Sequence, residues 1–332
     1  MKILVSITSG SNNTERNILR SFYDGIEKYY FQKFNITDHK VLKRKHAIDL
    51  RLSYDPVIEK CDIAVQFGTA KNRAAEHHVT KQSILDRAKH IVYIETPLLG
   101  RKIVNNTNHS YYRVGVNGYL NNDGIFYHEK TLDNNRLATI KKQLDIPDIT
   151  GWKSHTSGNI LILCQLPGDT SLRGQSMSEW LLDTINVIRK KTDRNILVRL
   201  HPAMSIKGRA EFYSEIGSIL FCNYINLIWS DGVASTLQED LNSSGICITY
   251  SSGSSIDAVL AGVPVIATDE GNLAYPISSH RLDDLEKPKL ASAVEITQWL
   301  TYIANSQWTE QEMLSGTVWT NLQPIIQELD SE

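Results

Sequence analysis

Residues 245–271 read GICITYSSGSSIDAVLAGVPVIATDEG, and they carry the clearest fold signal in the chain. Two uninterrupted apolar runs, GICITY and VPVIAT, predict strands that are buried on both faces. Between them, SSIDAVLAG predicts a helix that serines begin and Gly262 ends. A strand, a helix and a second strand without a hairpin turn are typical of a parallel sheet, so we predict an α/β fold.

The same alternation extends outward in both directions. Upstream lie the predicted strands NILILCQL and NILVRLHP, and the first 150 residues contain three more, KILVSIT, CDIAVQFG and HIVYIET. The turn-rich stretch DIPDITGWKSHTSGN separates the two halves. We therefore predict two Rossmann-like domains that face each other across a cleft. The first comprises residues 1–150 and the second residues 151–305, and a C-terminal helical segment, 306–332, follows them.

Composition limits the classes of protein that this chain can form. Of its 332 residues 41% are hydrophobic and 22% are charged, which is typical of a soluble globular protein and excludes a disordered one. No apolar run is long enough to span a membrane, and the opening one is too short for a secretory signal, so we expect a cytoplasmic protein. The four cysteines lie far apart, mostly in apolar runs, and their spacing predicts no zinc site.

The net charge of −2 conceals a strong asymmetry between the two halves. Residues 1–150 carry 23 Lys and Arg against 16 Asp and Glu, a net charge of +7, and the remainder therefore carries −9. A basic first half indicates an anionic partner. Chance segregation of solvated surface charge remains the alternative.

In open α/β sheets, ligands bind beyond the carboxyl ends of the strands. Polar residues that suit a phosphate group follow three predicted strands of the second domain, and hydroxyls and free backbone N–H groups can bind such an anion. The pattern is neither GxxxxGK[ST] nor GxGxxG, which disfavours a Walker-type ATPase or a nicotinamide enzyme. A well-capped helix without a ligand stays open as the structural alternative. The candidates for binding such an anion are Gln165, Asp169, Ser171, Arg173, Arg199, His201, Ser251, Ser252, Gly253, Ser254 and Ser255.

Across residues 158–279, the order RLHP and then SSGSSIDAVLAGVPVIATDEG resembles the nucleotide-sugar domain of GT-B glycosyltransferases. The His-Pro pair and the paired serines are similar to those of GT-B sialyltransferases and of Kdo or capsule-polysaccharide transferases. The resemblance implies that His201, Ser251 and Ser252 contact the donor phosphates. It implies that Asp257 binds the ribose, where the family more often has Glu. It also implies contacts with the sugar hydroxyls from Asp269, Glu270 and Asn272.

The first domain offers candidates for the acceptor and for a general base that deprotonates it. Glu95 is the preferred base, because IVYIET ends a buried strand there, and Glu15, His77 and His78 are the alternatives. Arg101, Lys102 and Arg113 are predicted to form a basic rim near the aromatic segment YYRVGVNGYLNN. We expect this segment to be an irregular loop or a short hairpin. The candidates for acceptor binding are Thr8, Gly10, Arg101, Lys102, Arg113 and Asn117.

The resemblance implies a GT-B glycosyltransferase that uses a nucleotide sugar, with a UDP-sugar favoured and a CMP-sugar as the alternative, and no other cofactor. It also implies that residues 151–305 bind the donor, that residues 1–150 bind the acceptor, and that the C-terminal segment, 306–332, packs back on the first domain. Because no DxD pair is present, we expect no metal site. The basic half favours DNA with a 5-hydroxymethylated pyrimidine over a Kdo, capsule or lipopolysaccharide acceptor. Residues 307–319 resemble phage-encoded proteins of this type. A phage-encoded protein would be expected in the host cytoplasm. A non-hydrolysing NDP-sugar epimerase and a non-catalytic sugar-nucleotide binder remain open.

Overall fold

The structure, a computed structural model, describes residues 1–69, 76–101, 109–223, 226–230, 232 and 235–332. Contacts divide the chain into two compact units. Unit 1 consists of Met1–Tyr119, Asp123–Asp145 and Leu300–Glu332, and unit 2 consists of Leu120–Asn122 and Ile146–Trp299. The C-terminal helices thus return to the first unit, as the predicted fold requires, and the return begins at Leu300 rather than at residue 306.

Unit 1 is built on a mixed sheet that is mostly parallel. Its strands are β1 (Lys2–Ser6), β2 (Asp49–Ser53), β3 (Cys61–Phe67), β4 (Ala88–Glu95), β5 (Tyr112–Val116) and β11 (Gln307–Trp308). They lie in the order β11-β5-β4-β3-β1-β2, with β5 and β11 antiparallel to their neighbours. Its helices are α1 (Asn13–Phe34), α2 (His39–His46), α3 (Glu76–Arg87), α4 (Arg136–Leu144), α10 (Glu310–Ser315) and α11 (Thr317–Ser331), with a 3₁₀ turn at Glu129–Thr131.

The first helix of unit 1 begins where local chemistry places it. The Asn12 side chain accepts from the Glu15 backbone N–H at 3.0 Å, and the Glu15 carboxylate accepts from the Asn12 N–H at 3.2 Å, so two of the free amide groups of the first turn are satisfied. The apolar face of α1, including Ile18, Phe22 and Ile26, packs into the core that covers one face of the sheet. This packing fixes the β1–α1 loop at the edge of the sheet.

Unit 2 is built on a wholly parallel sheet. Its strands are β6 (Asn159–Leu163), β7 (Ile196–Arg199), β8 (Leu227–Ser230), β9 (Ser244–Thr249) and β10 (Val265–Ala267), in the order β10-β9-β6-β7-β8. Its helices are α5 (Met177–Arg189), α6 (Ile206–Asn223), α7 (Leu237–Asn242), α8 (Ser254–Leu260) and most of α9 (Ala293–Asn305), with 3₁₀ turns at Thr170–Leu172, Tyr275–Ile277 and Leu282–Glu286.

The strand order of unit 2 has one direct consequence for function. In chain order within the unit, the strands lie as 3-2-1-4-5, so the order reverses between β6 and β9. Such a switch point leaves a crevice beyond the carboxyl ends of the two strands, where α/β proteins bind ligands. Both strands are buried along almost their whole length, in agreement with their apolar sequences. The predicted α/β fold with two Rossmann-like domains is confirmed.

The aromatic segment, expected to be an irregular loop or a short hairpin, is a short hairpin. It contains strand β5, and a bridge between Val116 and Ile125 closes it. The sequence prediction omitted β2 and α2, because DLRLS and HKVLKRKH are short and strongly charged. No helix in the described part of the chain is long and apolar enough to cross a membrane.

Candidate functional site

The switch point of unit 2 holds a compact network of polar side chains. Gln165, just beyond β6, and Ser251, just beyond β9, are both buried. The Ser251 backbone N–H donates to Gln165 Oε1 at 3.0 Å, and Gln165 Nε2 donates to Ser251 Oγ at 3.1 Å. This reciprocal pair ties the ends of the two strands together at the point where the crevice opens.

A third segment, the 3₁₀ turn at Thr170–Leu172, completes the network. Gln165 Nε2 donates to Ser171 Oγ at 2.5 Å, and Ser251 Oγ donates to the Ser171 carbonyl oxygen at 2.6 Å. Asp169 caps this turn, because its Oδ1 accepts from both the N–H and the hydroxyl of Ser171. Four candidates from two distant sequence segments therefore meet here.

His201 lies beyond β7, the strand next to β6 in the sheet. The half-buried imidazole accepts the Ala203 backbone N–H at Nδ1, at 3.1 Å. A neutral ring that accepts at Nδ1 must carry its proton on Nε2. The local turn thus fixes the tautomer in which Nε2 is a hydrogen-bond donor, which is the form that a phosphate oxygen requires.

The serine-rich turn after β9 is well ordered by its own contacts. Ser252 caps it, since its hydroxyl accepts from the Ser254 N–H at 3.3 Å, and the helix α8 follows Gly253. Ser255 points inward instead, where its buried hydroxyl donates to Asn272 Oδ1 at 2.8 Å. Asn272 also donates to the Tyr250 carbonyl oxygen. Ser255 and Asn272 therefore join α8 to the loop after β10 and have a structural role, whereas Ser252 stays at the surface of the turn.

The loop after β10 contains the remaining acidic candidates. Asp269 accepts from the Gly271 N–H at 2.9 Å, and it contributes with burial to raising the pKa of Tyr250. Exposed Glu270 accepts from Asn122 Nδ2 at 2.6 Å, and the same Asn122 accepts from the Arg173 guanidinium. Asp257 lies half-buried on α8. Asn122 thus joins Glu270 to Arg173, two residues after Ser171 of the switch-point network.

The prediction that Arg199 binds the donor needs correction. Its guanidinium is buried, and Nη1 donates to Asp240 Oδ2 at 2.6 Å and to Ser230 Oγ at 3.1 Å. A guanidinium held in this way neutralises the buried Asp240 carboxylate and ties β7 and β8 to α7. Arg199 is therefore a structural residue.

Unit 1 brings two candidate bases together at the carboxyl edge of its sheet, the edge at which the parallel strands end. Glu15 lies in the first turn of α1, after β1, and Glu95 is the last residue of β4. Burial raises the pKa of Glu15, and the nearby Glu95 carboxylate raises it further, whereas the Lys81 ammonium opposes the shift. The two carboxylates and Lys81 thus form one electrostatic cluster.

Of the basic candidates for acceptor binding, Arg113 is not exposed at the surface. Arg113 is buried, and its Nε has no hydrogen-bond partner among the described residues. Burial lowers the pKa of this guanidinium, and the nearby Glu95, its register partner, opposes that shift. Arg101 is exposed and near enough to affect Arg113. Lys102 lies outside the described residues.

The other acceptor candidates have local structural roles. Asn117 follows β5, where its backbone N–H and its side-chain Oδ1 both bond the backbone of Ile91. This position lies away from the carboxyl edge, so the prediction for Asn117 is wrong. The Thr8 hydroxyl is buried against Ser11 Oγ at 3.0 Å, and Gly10 is exposed in the same loop. His77 is the second residue of α3, but its side chain lies outside the described residues, and His78 is buried.

Two residues near Glu95 were missed by the sequence analysis. Gly68 follows β3 directly and has a φ of +70°, and a Cβ at this position would lie 2.9 Å from Lys81 Nζ and 3.9 Å from Glu95 Oε1. A glycine immediately after a buried strand was the available signal, because it often marks a close approach. Lys81 could not be identified, since helical spacing alone does not say which lysine faces the sheet. Among the described residues, no three His, Cys, Asp or Glu side chains form a metal-binding group.

Comparison with known proteins finds similarity in fold only. No family model matches the chain, and no curated protein sequence matches it. Among solved structures, KpsC, the β-Kdo 2,4 transferase of Thermosulfurimonas dismutans, is 12% identical with a TM-score of 0.46, covering 91% of this chain and 98% of its own. KpsC, the β-Kdo 2,7 transferase of the same organism, is 12% identical with a TM-score of 0.46, covering 96% of this chain and 99% of its own. UDP-GlcNAc 2-epimerase of Methanocaldococcus jannaschii is 10% identical with a TM-score of 0.34, covering 98% of this chain and 100% of its own.

Proposed function

We propose that this protein is a glycosyltransferase that binds a nucleotide-sugar donor at the switch point of unit 2. The observation that supports this most directly is the network of Gln165, Ser171 and Ser251. It gathers polar groups from three segments at the carboxyl ends of β6 and β9. A crevice at this position of a 3-2-1-4-5 sheet is where phosphate-bearing ligands bind.

The donor phosphates would find hydrogen-bond donors on either side of this network. His201 offers Nε2–H from the neighbouring strand end, and Ser252 offers a hydroxyl from the turn after β9. Donors of this kind stabilise the charge that develops on the leaving diphosphate. We propose a metal-independent reaction, with a UDP-sugar as the donor and a CMP-sugar as the alternative. Asp257 would accept hydrogen bonds from the ribose hydroxyls.

The transfer also requires a base. A bond forms between the acceptor oxygen and the anomeric carbon, and the bond from that carbon to the phosphate oxygen breaks. The nucleotide leaves with the electron pair, and the acceptor proton passes to a carboxylate. We propose Glu95 for this role, because it ends a buried strand of unit 1 within an electrostatic cluster that includes Glu15 and Lys81.

For the acceptor we propose a hydroxyl on an anionic polymer, since the first 150 residues carry a net charge of +7. DNA that contains 5-hydroxymethylcytosine or 5-hydroxymethyluracil is the first acceptor to test, and a surface glycan is the second. Binding to DNA would weaken steeply with salt, because each phosphate neutralised contributes about 0.9 to the slope of log K against the logarithm of the salt concentration. If the protein transfers sugar to a glycan and not to modified DNA, the acceptor is a glycan and the DNA proposal fails.

Calorimetry with UDP, CMP, GDP and ADP tests the donor site. We expect His201→Ala, and Ser251→Ala combined with Ser252→Ala, to weaken binding of the preferred nucleotide roughly 10- to 150-fold, since a hydrogen bond to a charged group contributes about 1.5–3 kcal/mol. Exposed His280→Ala and Ser243→Ala, before β9, are matched controls in unit 2 and should bind normally. Unchanged affinity in both site variants would remove the donor site from the switch point.

Turnover of a bound nucleotide sugar then separates the reaction classes. A transferase releases nucleotide only when an acceptor is present. An epimerase changes the sugar without any acceptor, and a binding protein does neither. The glycosyltransferase proposal fails if the donor is turned over equally well without acceptor.

A further inference from the structure

The carboxyl edge of unit 1 contains a lysine that the proposed reaction has not yet used. Lys81 lies half-buried on α3, the helix that follows β3. Its ammonium lies over the backbone of Gly68, because a Cβ on that glycine would come within 2.9 Å of Nζ. The Glu95 carboxylate oxygen Oε1 lies 3.9 Å from the same point. The ammonium and the carboxylate therefore share the space above Gly68.

Gly68 itself is held in place. Its N–H donates to the Ile94 carbonyl oxygen of β4 at 2.8 Å, and its φ of +70° is a conformation that side chains rarely adopt. The backbone at this position is thus fixed close to β4 without a side chain. This leaves room for the lysine side chain to reach the end of β4 from α3.

The second carboxylate of the cluster approaches from α1. Glu15 is fixed in the capping box of that helix, with Oε2 accepting from the Asn12 N–H. Burial raises the pKa of Glu15, the Lys81 ammonium lowers it and the Glu95 carboxylate raises it, so both charges act on Glu15. Two carboxylates that repel each other stay ionised at lower cost when a cation lies beside them.

We propose that Lys81 is a positioning residue that lies beside Glu15 and Glu95 above Gly68 and keeps Glu95 charged and oriented to take the acceptor proton. This inference rests on the proposed function, since it assigns a partner to the proposed base. Lys81 itself does not touch the reacting atoms. Its role is to stabilise a negative charge that burial would otherwise disfavour.

Other charged groups face the cluster from each neighbouring element. Arg16 from α1 also lowers the pKa of Glu15, but by less than Lys81 does. Arg113 from β5 lies opposite Glu95 in register, deeply buried. Around Arg113 lie Arg101, Tyr119 and Asp123. Because Lys81 lowers the pKa of Glu15 more than Arg16 does, we expect removal of the Lys81 charge to have the larger effect of the two.

The direct test follows the Glu15 carboxyl by ¹³C NMR in protein labelled on glutamate, with Glu15→Gln to assign the signal. In Lys81→Met the pKa of Glu15 should rise, because the ammonium that opposes the effect of burial is lost. In Glu95→Gln it should fall. Lys81→Arg should titrate like the wild type. If Lys81→Met does not fold, Lys81→Gln removes the same charge.

Lys89→Met is the matched control. Lys89 belongs to β4, like Glu95, but lies six residues earlier, about 20 Å away at ~3.3 Å per residue. Charges separated by more than ~10 Å are largely screened at moderate ionic strength. This variant should leave the Glu15 titration unchanged. An equal shift in Lys89→Met and Lys81→Met would overturn the proposal, because it would show a nonspecific effect of net charge.

Activity provides a second readout. Without Lys81 the base holds its proton to higher pH, so the acidic limb of the kcat profile should move to higher pH, with at least tenfold less activity at pH 6 and recovery as the pH rises. A loss of activity with an unmoved limb would mean a structural role and would overturn the proposal. If the wild type transfers no sugar, the proposed function fails. The Glu15 titration would still decide whether Lys81 acts on this carboxylate pair.

Discussion

Arg199 and Asp240 illustrate how a buried charge pair limits what a single residue can do. Both side chains are more than nine-tenths buried, and Ser230 Oγ also donates to Asp240 Oδ2 at 2.6 Å. The strand rule correctly placed Arg199 at the carboxyl end of β7, two residues before His201. Strand residues alternate between faces, however, and sequence alone does not say which face holds a carboxylate. The role of Arg199 was therefore beyond sequence analysis, and the tautomer of His201 depends on a turn that only the structure reveals.

This pair gives a prediction at the scale of the residue. Arg199→Met should lower the free energy of unfolding by about 3–5 kcal/mol, because it leaves the Asp240 carboxylate buried without its partner. Arg199→Met combined with Asp240→Leu should cost much less, since no uncompensated charge remains. Urea unfolding of the single and double variants measures both values. A double variant that is less stable than Arg199→Met would contradict this account.

At the scale of the element, apolar runs were the reliable signal. Strands β6 and β9 and helix α5 follow from uninterrupted or periodic apolar residues, because burial on both faces leaves no other pattern. Boundaries were less secure. Helix α7 is capped by Thr236 with Glu239, although Ser235 and Gln238, one residue earlier, have the same capping-box spacing. The residues of the switch-point network could be placed at the strand ends from sequence, because strand ends are visible there. The Lys81 cluster depends instead on which face of α3 meets the sheet.

In helix α1, we expect a glycine-to-alanine substitution to change stability in the direction opposite to the one that helix propensity predicts. Gly25 lies in the middle of α1, where alanine would ordinarily stabilise by about 1 kcal/mol. Here an added Cβ would lie 1.8 Å from the Met313 carbonyl oxygen and 3.1 Å from the Gly316 N. Gly25→Ala should therefore destabilise by about 1–3 kcal/mol, because α1 and α10 must separate.

Gly208→Ala is the control, since Cβ there would come no closer than 3.2 Å to a flexible serine hydroxyl. We expect the free energy of unfolding of that variant to change by no more than about 1 kcal/mol. Thermal or urea unfolding measures the stability of both variants. Stabilisation by Gly25→Ala would show that α10 does not lie against α1 in solution.

At the scale of the whole molecule, the two ends of the chain build one unit. The C-terminal residues add β11 beside β5 and pack α10 and α11 against α1. The sequence indicated this return only through the family resemblance, and it could not show that Trp308 pairs with Tyr112 in the sheet. Pairing over such a distance along the chain leaves no local pattern. Each unit nevertheless has its own hydrophobic core, one centred on β1 and β3 and the other on β6 and β9.

Separate cores predict that a core substitution loosens its own sheet. Trp319 of α11 is almost fully buried, with its ring 6.4 Å from Phe22 and 6.3 Å from Tyr30, so Trp319→Ala should cost about 3–5 kcal/mol. Amide hydrogen exchange should accelerate in β1, β3 and β5 and stay slow in β6 and β9. Trp180→Ala, in the core of unit 2, should give the reverse pattern. Equal acceleration in both sheets for either variant would mean that the two units open together, because each core then depends on the other.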